Sequence, residues 1–229
     1  MGILIAIDGV DASGKQTQTE KLYERLCSEG RKVRKISFPA YDKESSVLVK
    51  QYLNGEYGKR AEDVNAYAAS VLFAVDRFST FRKDWIEDYN NDVIIIADRY
   101  VSSNMIHQAG KLEKTSEKEK FLEWVSDLEF KKLGLPIPTV TIFLDMPTEF
   151  GVKLMQNRSN KITGEEKKDI HESDNEYLKK SYENAFYVAG KFNWTTVSCI
   201  KNDEIRTVEE INDEIYNLVI ENITTQNRF

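Results

Sequence analysis

The sequence predicts an α/β fold of three layers, a five-stranded parallel sheet flanked by helices, and three observations predict it. Five short runs rich in β-branched and apolar residues recur at 3–8, 33–38, 93–97, 139–145 and 196–200. They are continuous rather than alternating, as strands covered on both faces read. Helical patterns fill the intervals, and strands alternating with helices imply parallel pairing through right-handed crossovers, with ligands bound at the carboxyl ends of the strands.

The first strand empties directly from Ile3-Leu4-Ile5-Ala6-Ile7 into Gly9-Val10-Asp11-Ala12-Ser13-Gly14-Lys15. The glycines let backbone N–H groups turn inward, and a helix starting near Lys15 adds its positive N-terminal end. The lysine supplies a mobile cation for phosphate oxygens. This is the phosphate loop of a P-loop NTPase-type fold; the bland alternative is a glycine-rich turn of no function. That pattern asks for Ser or Thr after the lysine to hold magnesium, whereas this chain has Gln16 and then Thr17. An amide oxygen is the poorer ligand at that spot.

The helix that follows carries Leu22 and Leu26 and stops near Gly30, glycine just past a helix being the usual stop. Across residues 64–89, Val64, Ala68, Val71, Val75, Phe78, Ile86 and Tyr89 recur within about 80° of one another at 100° per residue. That stripe is expected to face the core. Phe73 and Arg77 fall on the opposite side, where a base could stack on the first and accept hydrogen bonds from the second. A subunit contact would explain an off-core aromatic equally well. A further helix carries Phe121, Leu122, Val125 and Leu128 and ends near Gly134.

The third strand closes in Asp98-Arg99-Tyr100, then Ser102-Ser103-Asn104, which sets an acid and a guanidinium at the sheet edge beside the phosphate loop. Asp98 could orient magnesium or its waters, and Arg99 could grip a phosphate bidentately. A structural Asp98–Arg99 ion pair is the alternative. Residues 157–175 carry Arg158, Lys161, Lys167 and Lys168 with almost no large apolar residue. They read as a mobile cationic lid over phosphates or as a solvated charged loop.

The 229 residues suit one medium domain. Lys and Arg total 32 against 38 acids, a net charge of −6, which argues against a general nucleic-acid binder. The longest apolar stretch, Val93 to Ala97, is far too short to span a bilayer, and no secretory signal is visible. Cys27 and Cys199 have no metal-site spacing and are expected to be buried thiols in a reducing cytoplasm. His107 and His171 lack partners at triad or metal-ligand spacing and are expected to be polar lining. Trp85, Trp124 and Trp194 are expected to serve packing.

Taken in order, these residues resemble the thymidylate kinases, enzymes that phosphorylate dTMP with ATP. Gly9-Val10-Asp11 with Gly14-Lys15 is similar to the family's phosphate loop, and Phe38-Pro39 to its post-strand substrate segment. Leu72-Phe73-Ala74-Val75-Asp76-Arg77 is similar to its helix motif. Asp98-Arg99-Tyr100 with Ser103 and Gln108 is similar to its signature, and Leu144-Asp145-Met146-Pro147 leading to Arg158 to its lid entry. The resemblance implies transfer of a phosphoryl group from ATP to dTMP with Mg2+, directly and in line. It implies that Gly9, Asp11, Ala12, Ser13, Gly14, Lys15, Gln16 and Thr17 hold the donor and that Asp98 helps hold the metal. Phe38, Pro39, Phe73, Arg77, Arg99, Ser103, His107 and Gln108 would hold the acceptor, with Asp11 near its sugar or beside the substrate arginine. Arg158 and the lid lysines would close over the phosphates, and a homodimer would form through the long helices. Tyr41 stands where many members have arginine, so Lys43 or Lys50 would have to substitute. His107 stands where Tyr or Phe is usual. Against this stand a kinase for another nucleotide or nucleoside, and a nucleotide-binding regulator without turnover.

Overall fold

The computed structural model describes residues 2–155 and 175–226. β1 (Leu4–Gly9), β2 (Val33–Ser37), β3 (Ile94–Asp98), β4 (Val140–Asp145) and β5 (Thr195–Ser198) form one parallel sheet in the order β2-β3-β1-β4-β5. Between them run α1 (Lys15–Ser28), α2 (Val47–Leu53), α3 (Ala66–Thr80), α4 (Ile86–Asn90), α5 (Val101–His107) and α6 (Thr115–Ser126). After β4 come α7 (Thr148–Met155) and α8 (Asn175–Lys191). A short hairpin of β6 (Ile200–Lys201) and β7 (Glu204–Ile205) leads to α9 (Val208–Gln226). The predicted last strand at 196–200 therefore ends early, and Ile200 belongs to the hairpin.

Side-chain alternation along β1 builds two cores. Leu4 and Ala6 join Ile95, Ala97, Phe121, Leu122 and Val125 on one side. Ile5 and Ile7 join Ile96, Ile142, Leu22, Leu26, Ile215 and Val219 on the other. Full burial holds for β1 and β3 and nearly all of β4, whereas β2 is half-buried to exposed and β5 buries Val197 alone. The expectation of two-sided cover fails at these edge strands, where Arg34 and Lys35 meet solvent.

Two helix starts, those of α3 and α9, carry side-chain caps. The Asn65 side chain accepts from the Ala68 N–H at 2.9 Å. Thr207 and Glu210 form a reciprocal capping box ahead of α9. A π turn, Phe81–Trp85, joins α3 to α4, and a second, Asp127–Lys132, follows α6. Because β1 lies between β3 and β4 while the chain leaves it toward β2, the loops after β1 and β3 splay apart and open a crevice at the carboxyl edge of the sheet.

The α3 face is inverted relative to expectation. Val71, Val75 and Phe78 are 41%, 46% and 37% exposed, whereas Ser70, Asp76, Arg77 and Thr80 are buried. A buried polar network on the inner side reverses the apolar-in rule here. Asp76 accepts from the Ala40 N–H at 2.8 Å and from Ser45 at 2.5 Å, which ties α3 to the loop after β2. Cys27 is exposed rather than buried, because it sits on the outer face of α1; Cys199 is buried.

Candidate active site

The crevice is a cavity of about 600 Å3 whose walls come from the phosphate loop, the Phe38–Pro39 turn, α3 and the β3–α5 junction. Gly9 has φ +157°, and a Cβ there would lie 2.7 Å from Ser13 Oγ and 2.8 Å from the Leu144 carbonyl. Only glycine lets the loop fold this tightly over β4. Gly14, with φ +86°, starts α1, so that helix points its N-terminus at the cavity. Asp11, Ala12, Gly14, Lys15, Gln16 and Thr17 line the space, while Ser13, buried against Lys15, and Gly9, buried at the end of β1, do not.

Lys15 folds back over its own loop and donates to the Val10 carbonyl at 2.6 Å and to Ser13 Oγ at 3.4 Å. Burial, then the neighbouring Arg99 guanidinium, push its ammonium down to about 7, against the pull of Asp11, Asp8 and Asp98. Four cations line the cavity among the described residues, and three are already paired: Lys35 with Glu20, Arg77 with Glu129, and Arg99 with Asp11. Lys15 alone of these has only neutral hydrogen-bond acceptors. An arriving anion would relieve its desolvation.

Arg99 occupies the left-handed region at φ +67°, which a non-glycine residue adopts at a cost and usually where its surroundings dictate it. Its guanidinium donates to Asp11 through a short contact, to Ser103 Oγ at 3.3 Å, and lies 3.1 Å from His107 Nε2. Burial works against its charge, but Asp11, Asp8 and Asp98 more than offset this and hold it firmly protonated. The alternative of an Asp98–Arg99 pair is not what forms; Asp11 and Asp8 are the partners at 4 Å or less.

Asp8, hidden in what reads as a strand, is fully buried and accepts from Ser102 Oγ at 2.7 Å, Ser103 Oγ at 2.9 Å and its neighbouring Gly9 N–H at 2.9 Å. It locks the start of α5 to the end of β1. An aspartate closing an apolar run was the available signal. Asp98 lines the cavity and accepts no side-chain hydrogen bond among the described residues, so its oxygens are open to a ligand.

His107 is buried in the cavity wall, its ring 6.1 Å from that of Tyr177. Burial first, then Arg99 and Lys15, push its pKa down to about 4, opposed by Asp11. A histidine kept neutral in the fold but protonated when unfolded costs stability as pH falls from about 6.5 toward 4, because only the unfolded chain gains the proton. The full effect is on the order of 3 kcal/mol. His107→Gln should therefore flatten the fall in denaturant midpoint between pH 6.5 and 4.5; an unchanged slope would reject the assignment.

Phe73 is half-buried and lines the cavity edge-on to Tyr52, with ring centroids 6.1 Å apart. Arg77, expected beside it on an exposed side, is only 1% exposed. Its Nε and Nη2 each donate to Glu129 at 2.6 Å, and Nη1 reaches the Tyr100 carbonyl at 3.4 Å. Glu129 was missed by the sequence reading, which named Asn104 after the third strand but gave it no role. Phe38, Pro39, Ser103 and Gln108 line the same space. Lys43 pairs with Asp84 and Asp42, Lys50 donates to the Tyr41 carbonyl, and neither lines the cavity, whereas Tyr41 does. Arg158, Lys161, Lys167, Lys168 and His171 lie outside the described residues. The approach to them is built: α7 packs against the phosphate loop at Gly151, where a Cβ would stand 3.2 Å from the Asp11 carbonyl.

The family model for thymidylate kinase matches residues 7–208. A thymidylate kinase of Mycobacterium tuberculosis is 34% identical over 180 residues, covering 78% of this chain and 82% of that protein. A probable thymidylate kinase of Methanosphaera stadtmanae is 31% identical over 218 residues, 94% and 96% of the two chains. The Homo sapiens thymidylate kinase is 31% identical over 146 residues, 63% and 61%. The matched span contains the phosphate loop, the β3–α5 arginine and the cavity-lining residues of α3 described above, and the chain belongs to the thymidylate kinase family.

Proposed function

We propose that the protein transfers the γ-phosphoryl group of ATP to the phosphate of dTMP, releasing dTDP and ADP. The observation that carries this is one cavity with a phosphate loop and Lys15 at one end, Arg99 between, and Phe73, Arg77 and Asn104 at the other. An acceptor phosphate oxygen attacks the γ-phosphorus in line, and the bond to the β,γ-bridging oxygen breaks as ADP leaves. No protein nucleophile is needed, so the residues act by positioning and charge. The loop from Asp11 to Thr17 and the α1 N-terminus hold the donor phosphates. Lys15 follows the transferring group, Arg99 grips the dTMP phosphate while Asp11 and Ser103 hold that guanidinium, Phe73 and Phe38 cover the base, and Gln108 and His107 complete the acceptor wall.

Asp98, with oxygens of Gln16 and Thr17 nearby in the lining, fits a hard cation that takes one carboxylate and completes its shell from phosphate and water. Among the described residues no group of three metal-binding side chains exists, which suits magnesium carried with the nucleotide better than a resident site. Bound there, it would neutralise phosphate charge. Arg158, Lys161, Lys167 and Lys168 are proposed as the lid cations.

The test is ADP release with ATP and magnesium against dTMP, dUMP, dCMP, dGMP and thymidine. A clear dTMP preference supports the reading; another preferred acceptor, or silence, rejects it. A homodimer belongs to the same proposal, seated on the exposed face of α3, since an apolar stripe at 71, 75 and 78 beside a polar inner side suits a self-complementary contact. The double variant Val71→Asp, Val75→Asp should run at the mass of one chain in light scattering where the natural chain runs at two. The remaining parts are one domain throughout, with its lid at 157–175, and a cytoplasmic location, which the two free thiols suit. No helix among the described residues is long and apolar enough to cross a membrane.

A further inference from the structure

We infer that Glu129 is a positioning residue that sets the hydrogen-bond polarity of the cavity's base end, and hence its choice of a 4-oxo pyrimidine over cytosine. This rests on the acceptor reading above. Glu129 comes from the π turn after α6, is fully buried, and does not line the cavity. Its Oε2 accepts from Arg77 Nε at 2.6 Å, and its Oε1 accepts both from Arg77 Nη2 at 2.6 Å and from Asn104 Nδ2 at 3.0 Å. One carboxylate thus holds two residues that do line the cavity.

The consequence lies in the orientation of the Asn104 amide. Its Nδ2 also donates to the Ser70 carbonyl at 3.2 Å. Both neighbours of that nitrogen are acceptors, so the amide cannot turn over without setting oxygen against oxygen. Its Oδ1, which accepts no hydrogen bond among the described residues, is the polar atom left for a ligand. Arg77 can offer only N–H groups. The wall therefore presents a donor beside an acceptor. Thymine and uracil match it with a ring carbonyl beside a ring N–H. Cytosine presents the reverse, an amino group beside a bare ring nitrogen, which places donor against donor and acceptor against acceptor. A polar site with fixed partners rejects such a mismatch far more strongly than an apolar pocket rejects a change of size.

Glu129→Gln removes one of the two acceptor oxygens and puts an NH2 in its place. Arg77 keeps at most one of its two bonds, and Asn104 loses one of the two acceptors that fix its amide, so that only the Ser70 carbonyl at 3.2 Å still opposes a turn of its NH2 toward the cavity. Calorimetric binding of dTMP and dCMP to the full chain is the measurement, with ATP as a control. The expected result is that the preference for dTMP over dCMP falls by about tenfold or more while ATP affinity is unchanged; Glu129→Asp, which keeps the carboxylate, should retain more of the preference. A merely structural role would weaken both monophosphates alike, so an unaltered dTMP-to-dCMP ratio overturns the inference. If Glu129→Gln does not fold, the double variant Arg77→Met, Glu129→Met removes the buried pair at similar volume. It should bind the two nucleotides within a few fold of each other, and a retained preference again overturns the inference. Because binding is read without turnover, a natural chain that binds dTMP but does not phosphorylate it defeats the kinase reading alone. An altered catalytic rate with an unaltered binding ratio defeats the role of Glu129 alone.

Discussion

Lys15→Met should lower kcat for dTMP phosphorylation by about three orders of magnitude, the loss expected if the proposed preorganised charge facing the transferring group is removed. Among the described residues, three of the four cavity-lining cations already have carboxylate partners, and Lys15 faces the Val10 carbonyl and the Ser13 hydroxyl. The same variant should be more stable than the natural chain near pH 7. Lys15 is held at about 7 in the fold and near 10.5 unfolded, so the unfolded chain binds the extra proton throughout that window. Natural-chain stability therefore rises with pH from 7 toward 10.5 on this account, and methionine abolishes that slope. Steady-state kinetics with denaturant melts at pH 7 and 9 checks both halves. Loss of activity together with loss of stability would mean that Lys15 is a structural residue.

Arg99→Ala should reduce kcat/KM for dTMP by about a thousandfold, roughly 4 kcal/mol, while leaving the KM for ATP within a few fold. The guanidinium is gripped by Asp11 and Ser103, lies against His107, and is held in a left-handed backbone, so its direction into the cavity is fixed before any substrate arrives. Alanine also leaves Asp8 and Asp11 without their cation, and the melting temperature should fall. Arg99→Lys separates the two effects, because it restores charge without the planar fork that meets two phosphate oxygens at once. Normal acceptor kinetics in a folded alanine variant would remove Arg99 from the site.

The strands and the phosphate loop were legible because one physical cause, burial on both faces, writes itself as unbroken apolar runs, and because a loop of this curvature requires glycine at 9 and 14. The edge strands were readable as strands but not as edges. What misled was α3. Periodicity identifies an apolar stripe but cannot say what covers it, and here the inner face carries buried Ser70, Asp76, Arg77 and Thr80; the two hydroxyls bond carbonyls of their own helix, while Asp76 and Arg77 are satisfied by partners at residues 40, 45 and 129. Those partners are distant in the chain, so no local pattern announces them. Glu129 was invisible for the same reason: it is an ordinary acid in its own segment and acquires meaning only from what the fold brings to it, whereas Asp8, closing an apolar run, carried a signal that could be read.

The central place of β1 has a consequence for how the chain comes to be folded. Ile7 pairs with Asp98 on one side and Ile142 on the other, so β1, synthesised before β3 and β4, has to wait for both of its neighbours. A nascent chain carries the whole of Gly9 to Lys15 from its earliest residues, yet the carbonyl of Leu144 that closes the loop's floor is not synthesised until much later. Such long-range closure makes folding slow and all-or-none. Nucleotide capture thus serves as a late report that β4 has joined the sheet, and fragments ending before β4 should emerge from the ribosome with the loop's sequence but none of its grip.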